Sequence, residues 1–276
     1  MRCYNSKKAV FTFVLFLVVL WFGAEECYAE KKGEKMDSPI ITVVFDNNPY
    51  KKGLETGWGF SCLIEGMEKT VLFDTGADGS VLLDNMEKLG IDPEIVEILV
   101  LSHAHSDHVG GVYSFLQKNN KVTVYVPESF PESFKDHTRQ YGAHIIEVKE
   151  SAEILNGLYS TGEMGPGLKE QSLIICTPKG MVIITGCAHP GIVNIVKRAK
   201  EMFDDEVLLV MGGFHMMGKS RSEVDTIISN MKKFGVRYVG PCHCTGDKAR
   251  DLFQQAYREH FISLGVGKRI DSKELP

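Results

Sequence analysis

This 276-residue chain has no excess of positive charge: 31 Lys and Arg stand against 36 Asp and Glu, a formal net charge of −5. Nucleic-acid binders usually carry a basic face, so the balance argues against nucleic acid as a partner and favours a small-molecule substrate. The seven cysteines form no zinc-ribbon spacing. Nor does any period mark internal repeats. The one long apolar run, Ala9 to Gly23, is 15 residues, shorter than the roughly 20 that a spanning helix needs.

That run has a different reading. Arg2, Lys7 and Lys8 precede it, and Cys27-Tyr28-Ala29 closes it with small residues at the positions a signal peptidase reads. Residues 1–29 are therefore expected to be a secretory signal peptide, with a membrane anchor as the alternative if cleavage fails. The glutamates before Cys27 argue against a lipoprotein signal. Removal of the leader leaves 28 basic and 34 acidic residues, net −6, and an exported, periplasmic or secreted protein. Residues 30–38 read as a charged linker and 39–276 as a single domain. Cys62, Cys176, Cys187, Cys242 and Cys244 remain, an odd number; a core of this size needs no disulfides, so Cys62 and Cys176 are expected to be buried thiols.

Apolar stretches rich in β-branched residues predict strands over Pro39 to Phe45, Gly59 to Glu65, Thr70 to Phe73, Ile95 to Leu101, Val122 to Val126 and His144 to Val148. Further strands are expected over Ser172 to Cys176, Met181 to Thr185, Val207 to Met211 and Arg237 to Gly240. Helical spacing covers Ser80 to Leu89, Val109 to Leu116, Ile192 to Phe203, Ser222 to Phe234 with a Ser222/Asp225 capping box, and Asp247 to Phe261. Pro127 to Tyr141 has a short helical pattern. Asn156 to Glu170 holds four glycines and no period, and is expected to be a long loop, either a substrate-binding segment or a plain connection.

The chemistry concentrates in Ser102-His103-Ala104-His105-Ser106-Asp107-His108-Val109-Gly110-Gly111, with three imidazoles and a carboxylate in six positions. The cluster lies on a strand-to-helix loop. Residues two apart on an extended loop share a side, so His103 and His105 can converge on one cation while Asp107 and His108 face a second. Phe73-Asp74-Thr75-Gly76 places a carboxylate at another strand end. Gly186-Cys187-Ala188-His189, Gly212-Gly213-Phe214-His215 and Cys242-His243-Cys244-Thr245-Gly246 follow later strands, so six of the nine histidines sit at strand ends. His137 and His144 lie outside any ligand spacing and read as surface or edge residues. Cys242 and Cys244 alternate around His243 and are expected to turn away from it.

HAHSDHVGG resembles the signature of the metallo-β-lactamase superfamily. The FDTG, GCAH, GGFH and HCTG segments are similar to those of its metal-dependent hydrolases in the branch called dihydropterin-ribofuranosylaminobenzene-phosphate synthase-like. The resemblance implies a four-layer αββα sandwich. It also implies that His103, His105 and His189 hold one divalent metal, that Asp107, His108 and His243 hold another, and that Asp74 steadies a ligand. The spacing alone leaves this partition open, and leaves His215 as a structural group, a ligand or a donor to substrate. Many members carry Gly-Asp where this chain has Gly186-Cys187, so either the Cys187 thiolate helps bind metal or the bridge is missing. A thiolate would favour zinc, whereas an all-nitrogen-and-oxygen site would also accept manganese or iron.

His105 stands where oxygen- and nitric-oxide-reducing relatives place Glu, and 247 mature residues leave no room for their flavin domain. Hydrolysis is the expectation, with Asp107 orienting water or accepting its proton and a phosphate-containing small molecule as substrate. Lactone or thioester hydrolysis, and a metal-containing binding or sensing protein with little turnover, are the alternatives.

Overall fold

A computed structural model describes residues 39–275; the expected signal peptide and linker lie outside the described residues. The first sheet begins with β1 (Ile40–Asp46), β2 (Phe60–Glu65) and β3 (Val71–Phe73). It continues through β4 (Ile98–Val100), β5 (Thr123–Pro127) and β6 (His144–Val148). The chain then crosses to a second sheet made of β7 (Ala152–Leu155), β8 (Leu158–Ser160), β9 (Leu173–Thr177), β10 (Gly180–Thr185), β11 (Val207–Gly213) and β12 (Tyr238–Cys242). It returns at the end to add β13 (Arg269–Asp271) beside β1. The orders are β13-β1-β2-β3-β4-β5-β6 and β12-β11-β10-β9-β8-β7.

Each sheet is antiparallel on one side and parallel on the other. The runs β3 to β6 and β10 to β12 are parallel, which requires covering crossovers. Helices α1 (Gly79–Leu89), α2 (Ser106–Val109), α3 (Val112–Lys118) and α4 (Glu132–Gln140) supply them on the first sheet, and α5 (Ile192–Met202), α6 (Arg221–Lys233) and α7 (Asp247–Tyr257) lie along the second half.

Three apolar layers make the architecture a four-layer αββα sandwich. Leu63, Leu72, Leu99 and Val124 of the first sheet pack with Leu82, Met86, Val112 and Phe115 of α1 and α3. Cys62, Ile64, Val71 and Phe73 face Leu173, Ile175, Val182 and Ile184 between the sheets. Met181 and Ile183, one residue out of step with that inner set, turn to the third layer with Ile192, Ile195, Ile228 and Phe253. Strands β9 to β12 are buried throughout, and so read as continuous apolar runs instead of alternating ones.

Several details differ from expectation. Pro93–Ile95 is a 3-10 turn capped by Asp92, so β4 starts only at Ile98. The helix expected over Val109 to Leu116 is two short helices, α2 and α3, separated by Gly110 and Gly111. The segment Asn156 to Glu170 contains β8, paired with both β7 and β9. The cap of α6 is Ser220, whose hydroxyl meets the Glu223 amide while the Glu223 carboxylate takes the Ser220 amide; the box lies two residues earlier than Ser222/Asp225 because the helix starts at Arg221. Cys62 is a buried thiol, and Cys176 is likewise buried. His137 and His144 are exposed, the latter on the edge strand β6. No helix among the described residues is long and apolar enough to cross a membrane.

Candidate metal centre

The carboxyl ends of β1, β3, β4, β10, β11 and β12 open onto one rim, the place where α/β sheets present their functional loops. Asp74 follows β3 directly and anchors the rim. Its Oδ1 accepts the Ser102 amide at 2.7 Å, and its Oδ2 accepts both the Ser102 hydroxyl and His108 Nδ1, each at 2.7 Å. The backbone of Asp74 is left-handed, with φ 57°. Ala188, His215 and His243 share that conformation at φ 59°, 50° and 46°, so four of the five described non-glycine residues of this kind lie at the rim. Such backbone costs energy and persists where surroundings fix it.

Proton accounting decides which imidazole nitrogens are free. The Asp74 carboxylate accepts from His108 Nδ1, so His108 Nε2 carries a lone pair. Ser102 gives its only hydroxyl proton to Asp74, so at 2.9 Å it accepts from His103 Nδ1 and leaves His103 Nε2 bare. Asn47 Oδ1, just past β1, accepts from His243 Nδ1 at 2.9 Å. Every one of these partners holds a ring and fixes its tautomer, as outer groups do around metal ligands.

The bare nitrogens converge in two groups. His103, His105 and His189 bring ligand atoms to within 4.8 Å of one another, as do Asp107, His108, Cys187 and His243. In the first, His103 Nε2 lies 3.2 Å from His105 Nδ1, and the three rings meet edge to face at 4.8–4.9 Å. In the second, His243 Nε2 is 3.3 Å and His108 Nε2 3.8 Å from Asp107 Oδ2. Helix α2 starts immediately after His105, and this turn swings Asp107 and His108 from the first group to the second. The buried Nε2 atoms of His189 and His243 have no hydrogen-bond partner. Orphaned buried acceptors are costly, and here they point at other donors of the same kind. The set of imidazole nitrogens and a carboxylate fits divalent transition ions.

Electrostatics favour the unprotonated form of three of these groups and the protonated form of a fourth. Burial, reinforced by the imidazoles of His108, His189 and His105, holds His103 far below its ordinary pKa. Burial and then His215 and His105 bring His189 down to about 4. Burial opposes ionisation of Asp107, but the nearby imidazoles of His243, with Nε2 3.3 Å away, and His108 outweigh it and keep the carboxyl low. For His108 burial opposes protonation, while the touching Asp74 carboxylate raises the pKa overall.

Three further residues belong to the rim. Glu170, fully buried, accepts the consecutive amides of Cys187, Ala188 and His189 at 2.9, 2.9 and 2.7 Å, which fixes the loop that delivers His189. It ends a glycine-rich segment with no periodicity, so no sequence pattern marks it. Asn47 is equally unmarked. Gly186 is required by close approach: a side chain there would collide with Ser102 Oγ and Asp74 Oδ2.

Cys187 lies 3.2 Å from His108 Nε2. Cys242 turns into the core between the sheets, as expected, but Cys244 turns inward to the Cys187 carbonyl at 3.6 Å. The left-handed His243 breaks the strand alternation, so Cys244 joins the rim instead of facing away from it. A hydrogen bond from the Cys187 thiol draws the Cys244 thiol down, and the same contact pushes Cys187 up. His215 packs at a tilt against His189 with ring centres 4.4 Å apart. At the mouth, the half-exposed Trp58 leans over His243 with ring centres 5.0 Å apart.

Residues 59–197 match the sequence model of a family described as the metallo-beta-lactamase superfamily. A relative from Methanocaldococcus jannaschii, 7,8-dihydropterin-6-methyl-4-(beta-D-ribofuranosyl)-aminobenzene-5'-phosphate synthase, is 29% identical over 84% of this chain and 95% of its own. An uncharacterized protein of the same organism is 30% identical over 84% of this chain and 99% of its own. A crystal structure described as a metal-dependent hydrolase of the beta-lactamase superfamily superposes with a TM-score of 0.72 at 29% identity, covering 84% of this chain and 98% of that one.

Proposed function

Since the chain belongs to the metallo-β-lactamase superfamily, we propose that it is an enzyme that hydrolyses a small phosphate ester with two divalent metal ions. His103, His105 and His189 would hold one ion; Asp107, His108 and His243 would hold the other. The observation that carries the reading is the convergence of imidazole nitrogens left without partners, His189 Nε2 and His243 Nε2 among them. Ions bound there would supply Lewis acidity toward the scissile group and make water more acidic.

The chain's own groups have defined tasks. Asp107, half-buried and at the start of α2, orients the attacking water; its depressed pKa keeps it ionised as an acceptor for that water's O–H. Asp74 does not reach the substrate and positions His108 through Nδ1. Glu170 positions His189 through its amide. Trp58, about half exposed beside His243, offers an apolar wall to the organic part of the substrate.

A phosphate ester suits the site because negative charge develops where cations would stand. The M. jannaschii relative's name contains a 5'-phosphate, which favours the same substrate class. The leader read over residues 1–29 argues against carrying over the pterin itself, whose pathway is cytoplasmic, and implies an exported enzyme. Zinc is the favoured ion, with manganese or iron as alternatives. The description of the 29%-identical crystal structure as a hydrolase supports hydrolysis over synthesis. Metal-reconstituted protein assayed against phosphodiesters, phosphomonoesters and lactones should turn over a phosphate ester, and should lose that activity in Asp107→Asn. Turnover of lactones alone, or of nothing despite full metal loading, would overturn the reading.

A further inference from the structure

Beside the two histidine-rich groups lies a third set of donors that the proposed hydrolysis does not use. Cys187 follows β10, His215 follows β11 and Cys244 follows β12, and their ligand atoms lie within 4.8 Å of one another. Parallel neighbours in register bring these three strand ends side by side, with Thr185 beside Gly212 and Gly213 beside Cys242. The space between the sulfurs depends on Gly213. A side chain there would come within 2.8 Å of Cys244 Sγ and 3.2 Å of Cys187 Cα.

We propose that Cys187, His215 and Cys244 form a separate soft-metal site that binds one thiophilic d10 cation, such as zinc. Two sulfurs and an imidazole are the ligand set that prefers such ions over manganese, magnesium or calcium. Three protein ligands leave a fourth position of a tetrahedral ion open. The burial supports an entry route: both cysteines are buried, and His215 is exposed at the surface. Ion entry past His215 would end on the sulfurs. His215 thereby acquires a role as ligand, and Cys187 is drawn toward Cys244 instead of replacing a bridging carboxylate. The two functions are separable, since Cys244 and His215 belong to neither histidine-rich group.

The test is a cadmium(II) titration of the metal-free full chain, read by the near-ultraviolet sulfur-to-cadmium charge-transfer band and by bound metal per chain. Wild type should develop the band of two thiolates. Cys244→Ser should lose the charge-transfer band and one bound ion, and should leave the ions of the other groups in place. His215→Gln, a change at an exposed residue, should weaken binding of that same ion at least tenfold without altering the circular dichroism spectrum. Paired His103→Ala and His105→Ala changes should remove a different ion and leave the charge-transfer band intact, so loss of the hydrolytic centre is distinguishable from loss of this one. The proposal is overturned if Cys244→Ser keeps the full band and metal count, because Cys187 would then serve the neighbouring group alone. A Cys187–Cys244 disulfide in the protein isolated without reductant, shown by two fewer titratable thiols than after reduction, would overturn it equally.

Discussion

Asp74 shows how one side chain sets the chemistry of several others. Its two oxygens take three hydrogen bonds, and the tautomers of His108 and, through Ser102, of His103 follow from them. Asp74→Asn keeps the shape but offers an N–H where His108 Nδ1 needs an acceptor. The imidazole should then move its proton to Nε2 and lose its ligand lone pair. We expect metal affinity of the Asp107, His108 and His243 group to fall about 10–100-fold, with the fold retained; calorimetric zinc titration beside circular dichroism checks this, and unchanged affinity would refute the tautomer argument. His103, His105, Asp107, His108, His189 and His243 were legible because ligands crowd into short motifs at strand ends. Glu170, Asn47 and Cys244 were not. Glu170 acts through backbone amides far along the chain, Asn47 meets His243 across 196 residues, and Cys244 depends on a left-handed residue that breaks the expected alternation.

The elements that sequence reveals best are those whose own residues decide them. Helix α1 is one: Asp78 caps it, accepting the Ser80 and Val81 amides, and Gly90 ends it in the left-handed region at φ 73°. Strands β9 to β11 were plain from apolar runs. By contrast β8 and β13 have three residues each and exist because partners hydrogen-bond to them, Ile40 with Asp271 for example, which no local pattern announces. Caps give two tests at this scale. Ser220→Ala should cost about 1 kcal/mol in chemical denaturation, and Ser222→Ala less than about 0.5 kcal/mol; the reverse ranking would restore the later helix start. At Asp78 the hydroxyl and amide of Ser80 lower the native carboxyl pKa from its usual 3.8. Its stabilising effect is complete above 3.8 and fades as pH falls through the lowered native value. The melting-temperature gap between wild type and Asp78→Ala should therefore be constant near neutrality and close in acid, and a gap that persists at the lowest pH would mean the carboxylate charge is not what caps the helix.

At the scale of the whole molecule, each histidine-rich group straddles the sandwich. His103 and His105 follow β4 of one sheet while His189 follows β10 of the other; Asp107 and His108 face His243 in the same manner. Ions bound in both groups would clamp the two sheets together at one end, in addition to the apolar layer between them. Because a ligand of the native state alone stabilises by mass action, an ion at one hundred times its dissociation constant adds about 2.7 kcal/mol, which for a domain of this size corresponds to about 5–10 °C in melting temperature. Chelation should lower the melting temperature by at least that amount, and a melting curve indifferent to chelator would speak against tight binding. Acid adds a second handle whose direction is fixed by His189 and His103. His189 takes up a proton at about 4 in the native chain against 6.5 ordinarily, and His103 is depressed further. The unfolded chain thus binds more protons than the native one between those values, so stability is full above 6.5 and declines as pH falls. His108 and His215, whose native pKa values are raised, contribute in the opposite sense, so the effect of His189 is read by difference. The contribution of His189 is isolated in the chelated protein by comparing melting at pH 5 and pH 7. His189→Gln removes one of the two depressed imidazoles, so in the chelated state its melting temperature should fall less from pH 7 to pH 5 than that of wild type. An equal or steeper slope in that variant would show that the acid sensitivity arises elsewhere in the chain.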